Sequence, residues 1–109
     1  FPRLVQRNPK VTAAICINDA IALGVMAAAT DAGRRCPEDF STVGFGASTM
    51  GKYWRPALTT VALSANRVAE LSISLVCQQR QDATAKTRTI LVPEELIIRQ
   101  STGPVAQGE

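Results

Sequence analysis

The chain has 109 residues, 46% of them hydrophobic and 19% charged, with no histidine, which suits one compact domain with one modest core and argues against extended disorder. Twelve Lys and Arg against nine Asp and Glu give a net charge of +3, but the basic residues are scattered, Arg34-Arg35 being the only adjacent pair. No basic stripe or reading motif for nucleic acid is visible, so the charge reads as a mildly basic surface.

Residues 1–10 are mixed in character and end in Asn8-Pro9-Lys10, a turn-forming pattern. Residues 11–17, Val-Thr-Ala-Ala-Ile-Cys-Ile, are apolar and partly β-branched, the pattern of a strand buried on both faces in a parallel sheet. Asp19 suits a helix N-cap, and residues 20–32, rich in Ala, Leu, Ile and Met, read as a helix closed by Gly33. Gly24 inside that helix costs about 1 kcal/mol relative to Ala, which points to another backbone packed closely against it. After Cys36-Pro37-Glu38-Asp39, residues 40–46 read as a second strand running into glycines. Strand, helix and strand in this order predict a right-handed βαβ unit. Residues 46–57 read as an irregular loop with Tyr53 and Trp54 as aromatic anchors, and residues 58–63 as a third strand. Ser64 suits the cap of a helix over about 65–80 with Val68, Leu71, Leu75 and Val76 on one face. Residues 81–87 are a polar connection, 89–93 and 96–99 are candidate final strands, and the tail from Ser101 is expected to fray.

No phosphate loop, dinucleotide fingerprint or nucleophile elbow occurs, and the commonest general base is missing, so no catalytic residue, cofactor or enzymatic role is expected. Glu38-Asp39 and Glu94-Glu95 lie beside prolines and read as solvated surface acids. Cys16, Cys36 and Cys77 are odd in number and lack histidine companions. They fit reduced thiols in a cytoplasmic protein better than a metal site or a disulfide framework. Neither a signal peptide nor a run long enough to span a membrane is read, although the start at Phe1 instead of methionine leaves the true N-terminus open. Asn18-Asp19 falls where a strand gives way to a helix, the place where open α/β sheets take ligands. There Asp19 either faces the crevice or caps the helix.

The ordered string Asn18-Asp19-Ala20-Ile21-Ala22-Leu23-Gly24, Ala32-Gly33, Cys36-Pro37-Glu38-Asp39, Thr42-Val43-Gly44-Phe45, Pro56-Ala57-Leu58-Thr59-Thr60-Val61 and Leu96-Ile97-Ile98-Arg99-Gln100-Ser101-Thr102 resembles the lactose/galactose repressor family, over about residues 11–102. The resemblance implies an α/β fold of the type I periplasmic-binding-protein-like kind, a three-layer α/β/α arrangement present as a partial domain. Residues 1–109 would be the C-terminal segment of the effector-binding and dimerisation domain, with the DNA-binding headpiece and first part of the core absent. The segment would complete one lobe, then cross through Thr59-Thr60-Val61 to give the helix at 65–80 to the other.

By the same resemblance the partners are a small, sugar-like effector, a second copy of the chain, and operator DNA reached only through the headpiece, with no membrane contact. Asn18 matches an effector-facing position, with Asp19 beside it. Gly46 stands where relatives commonly carry an Asp, so a polar anchor is lost there and the family's usual sugar or purine effector does not follow from the resemblance alone. Trp54 is a candidate both for the effector site and, with Ile21 and Leu23, for the dimer interface; ordinary core packing is the competing reading for these three. The main rival function is a solute-binding protein of a transport system, which would not need the Pro-x-Leu-Thr-Thr pattern of residues 56–60; an α/β enzyme is more distant.

Overall fold

Four short strands form one mixed sheet in the order β1-β2-β3-β4, from β1 (Ala13–Ile15), β2 (Ser41–Phe45), β3 (Thr59–Ala62) and β4 (Glu95–Ile97). The computed structural model describes residues 1–82, 84 and 87–105. β1, β2 and β3 run parallel, and β4 returns antiparallel beside β3, with Ala62 opposite Glu95. The helices are α1 (Pro2–Arg7), α2 (Asp19–Asp31), α3 (Thr49–Tyr53) and α4 (Ala65–Gln81). The chain divides into a sheet-bearing unit, Phe1–Ala62 with Glu95–Glu109, and a second unit, Leu63–Glu94.

In the sheet-bearing unit α2 packs Ala22, Leu23 and Met26 against Cys16 and Leu58, making the core cluster. Phe40, fully buried at the entry to β2, meets the Phe1 ring edge to face at 5.1 Å. The other face of the sheet carries Ile15, Val43 and Phe45, Val61 and Leu96 in register, and Ile15 is 86% exposed. β1 is therefore an edge strand covered on the α2 side only, not buried on both faces as its apolar pattern suggests. In the second unit no side chain of α4 is buried, although Leu71 and Leu75 are half covered.

Residues 2–7 form a helix, with Pro2 in its first turn where a missing N–H is harmless. The loop at 46–57 contains α3, capped by Ser48, whose side chain accepts from Gly51 N. Gly24 is exposed and a Cβ there would meet nothing within 4 Å, so no backbone among the described residues explains it. Residues 89–93 form no strand; β3 already takes β4 as its second neighbour. The tail does not fray at once. Ser101 is fully buried, its hydroxyl donating to Thr42 O at 2.6 Å and accepting from Thr59 N at 2.8 Å. Gly103 N then bonds Ser41 Oγ at 3.1 Å. Residues 83, 85, 86 and 106–109, parts of the expected polar connection and tail, lie outside the described residues.

Candidate functional site

The carboxyl ends of β1 and β2 open onto the start of α2 and a tight turn at residues 46–48. Asn18, not Asp19, is the helix cap: its backbone is extended and its Oδ1 accepts from Ile21 N at 2.8 Å. That bond satisfies one of the otherwise orphaned N–H groups of the first turn. The same bond fixes the orientation of the amide, leaving both Nδ2 hydrogens of this exposed side chain available at the crevice.

Asp19 turns inward and is only 3% exposed. One carboxylate oxygen accepts from Thr60 Oγ1 at 2.6 Å and the other from Ser48 N. Burial alone would raise its pKa, but the Thr60 and Ser48 hydrogen bonds, with the charge of Arg99, hold it below its ordinary value. The close approach of β2 to this carboxylate depends on Gly44. A Cβ there would overlap Asp19 Oδ1 and lie 2.9 Å from Leu58 Cδ2 and 3.2 Å from Asp19 Cα.

The turn after β2 is left-handed at two successive residues, Gly46 (φ 114°) and Ala47 (φ 51°). Open space surrounds Gly46, but its φ is one that residues with a side chain rarely adopt. The three turn amides are all taken up internally: Gly46 N by Val61 O at 2.8 Å, Ala47 N by Thr60 Oγ1 at 3.3 Å, and Ser48 N by Asp19.

Of the residues singled out from sequence, Asn18, Asp19 and Gly46 thus meet at one end of the sheet. Asp19 serves that end from inside: its oxygens are occupied and it presents no surface to a ligand. Trp54 lies elsewhere, 37% exposed, in a groove of about 800 Å³ lined also by Met26, Thr30, Arg34, Cys36 and Arg55. That groove follows the C-terminal half of α2, away from Asn18 at its start. Ile21 is half exposed, whereas Leu23 is 5% exposed and belongs to the chain's own core, so the interface expectation for Leu23 gives way to core packing. Among the described residues no group of three or more Cys, Asp or Glu is placed to hold a metal. Cys16 is buried and Cys36 half-buried, and burial raises both thiols. Thr60, Ser48 and Gly44 were not singled out from sequence as site residues.

Residues 2–102 match the family described as periplasmic binding protein-like domain. The HTH-type transcriptional repressor PurR of Mannheimia succiniciproducens is 36% identical over 104 residues, covering 95% of this chain and 31% of that protein. The repressor of the same name from Haemophilus influenzae is 32% identical over 102 residues, covering 91% and 30%. Among solved structures, a transcriptional regulator CelR–cellobiose complex aligns with a TM-score of 0.83 at 26% identity, covering 90% of this chain and 30% of that one. A LacI family regulator from Enterococcus faecium with bound ribose aligns with a TM-score of 0.73 at 29% identity, covering 86% and 35%. The chain therefore spans less than a third of the length of the two repressors.

Proposed function

Because the chain belongs to the periplasmic binding protein-like family and, within it, to the lactose/galactose repressor family of transcription regulators, we propose that it is the effector-sensing and dimerisation segment of a repressor-type regulator. The observation that carries this reading is the meeting of Asn18, at the N-terminus of α2, with the Gly46–Ser48 turn at the carboxyl ends of two parallel strands. Such strand ends are where open α/β sheets bind small molecules. The bound ribose and cellobiose of the structural neighbours support a sugar-like effector.

Asn18 offers two donors there, while Gly46 supplies no carboxylate. A hydrogen bond to a charged group is worth about 1.5–3 kcal/mol, so polyhydroxyl ligands are held roughly 10- to 150-fold more weakly than with such an anchor. The effector then acts by shifting the population of lobe-closure states, and a second copy of the chain carries that shift to operator DNA. DNA is contacted by a headpiece outside this segment. The exposed face of α2, with Ile21 and the open Gly24, and Trp54 in its groove are the surfaces offered to the second copy.

The protein acts in the cytoplasm and not as an enzyme. No helix among the described residues is long and apolar enough to cross a membrane. That the relatives are regulators favours this reading over a transport solute-binding protein. Calorimetric titration of the full-length protein with ribose and with cellobiose tests it. Asn18→Ala should weaken the sugar that binds by roughly 2- to 12-fold, one lost neutral hydrogen bond's worth. An unchanged affinity removes Asn18 from the site and leaves it as a helix cap.

A further inference from the structure

The Asp19 carboxylate joins three elements with two oxygens. Its backbone belongs to α2, one oxygen is bonded to Thr60 of β3, and the other to the turn after β2. Thr60, fully buried, completes the ring by accepting from Ala47 N with the same hydroxyl that it donates to Asp19. Val61, its neighbour in β3, takes the remaining turn amide, Gly46 N. β3 ends at Ala62, where the chain leaves the sheet-bearing unit, and the return strand begins at Glu95 directly opposite. The turn is thus bonded to the very strand through which the chain passes into its second unit.

We propose that Asp19 is a positioning residue that clamps the Gly46–Ser48 turn to β3, so that the rim of the crevice and the exit strand open and shift as one body. A half-exposed turn carrying two left-handed residues would otherwise be among the first segments to open locally. With the clamp closed, a ligand that presses on the turn displaces Thr60 and Val61 with it, the last two residues before Ala62. Without it, Gly46 and Ala47 would keep their own bonds to Val61 and Thr60, but Ser48 would be cut loose from β3. Asp19 contributes no contact to the ligand. Its relevance to signalling rests on the effector-site reading above, whereas the clamp itself is tested with no ligand present.

Native-state hydrogen exchange of the full-length protein, followed by NMR over a low-urea series, reads the clamp directly. In the wild type the amides of Ala47 and Ser48 should exchange through the same opening as the β3 amides, with the same urea dependence. In Asp19→Asn, which places an amide N–H against Ser48 N–H or Thr60, exchange of Ser48 N should accelerate by roughly 10- to 150-fold, the loss expected for a hydrogen bond to a charged group. Cys16 N and Thr42 N, bonded to Val43 O and Ser101 O, should change much less. Thr60→Val, which keeps the shape and removes the hydroxyl, should uncouple the turn in the same way, and Thr60→Ser should restore it. This pair decides the matter if Asp19→Asn does not fold. The proposal is overturned if the turn amides of the wild type already exchange through a separate opening. It also fails if Thr60→Val leaves them coupled to β3, or if the variants accelerate Cys16 and Thr42 as much as Ser48.

Discussion

Two glycine-to-alanine substitutions should move stability in opposite directions, for reasons that lie in their surroundings and not in glycine itself. At Gly44 an added methyl overlaps Asp19 Oδ1 and crowds Leu58 Cδ2 at 2.9 Å and Asp19 Cα at 3.2 Å. Asp19 cannot swing aside without giving up Thr60 and Ser48. Overpacking a tight site costs about 1–3 kcal/mol, and loosening a hydrogen bond to a buried charge adds about 1.5–3 kcal/mol. The sum, about 2.5–6 kcal/mol, is a large part of the roughly 5–15 kcal/mol that holds a domain of this size together. At Gly24, in the exposed interior of α2 with nothing within 4 Å, Ala should stabilise by about 0.5–1 kcal/mol through helix propensity alone. Urea unfolding followed by circular dichroism, at the lowest workable concentration so that self-association adds nothing, reads both. A Gly44→Ala variant within about 1 kcal/mol of wild type would refute the packing described around Asp19. Loss of stability in Gly24→Ala under those conditions would refute the open face of α2.

Ser101→Ala should cost about 1–3 kcal/mol in the same assay, since it leaves Thr59 N and Thr42 O without their partner inside the core; a frayed tail would cost nothing. Acid should weaken the fold through Asp19. Its folded pKa lies below the ordinary 3.8, so its contribution is complete above that value and is lost as pH falls through it and past the folded value. In Asp19→Asn, unfolding between pH 5 and pH 2 should therefore be less acid-sensitive, and an identical acid profile would speak against the assignment. The chain should also self-associate, and sedimentation equilibrium should show an Ile21→Lys variant dissociating at concentrations where wild type is dimeric. A wild-type chain that stays monomeric at high micromolar concentration would exclude α2 as an interface.

The longer apolar runs were legible because their periods are local: β2, β3, α2 and α4 fall within a residue or two of where their patterns place them. Burial was less so. Residues 11–17 carry the pattern of a doubly covered strand, yet Ile15 is exposed because covering a face is a property of neighbours, not of the strand. α3 is not legible because five residues give no apolar period, and its stability comes from the Ser48 cap and from Gly51 lying against Leu58. At the candidate site Asn18 could be found by its position at a strand end, and Gly46 through the family resemblance. The part played by Asp19 could not, for its partner Thr60 stands 41 residues away and only the parallel pairing of β2 with β3 brings the two together. Ser101 reads as an ordinary tail residue until Thr42 and Thr59 converge on it.

The most direct test of effector sensing is the affinity of the full-length protein for an operator selected from random DNA, measured by fluorescence anisotropy at fixed salt with and without ribose or cellobiose. The sugar that binds should change operator affinity by about 5- to 150-fold, the usual range of coupling between two sites. Asn18→Ala should shift that change to higher sugar concentration while leaving ligand-free operator affinity intact. Sequence-specific DNA binding that no bound sugar alters, or a full-length protein that selects no DNA at all, would contradict it.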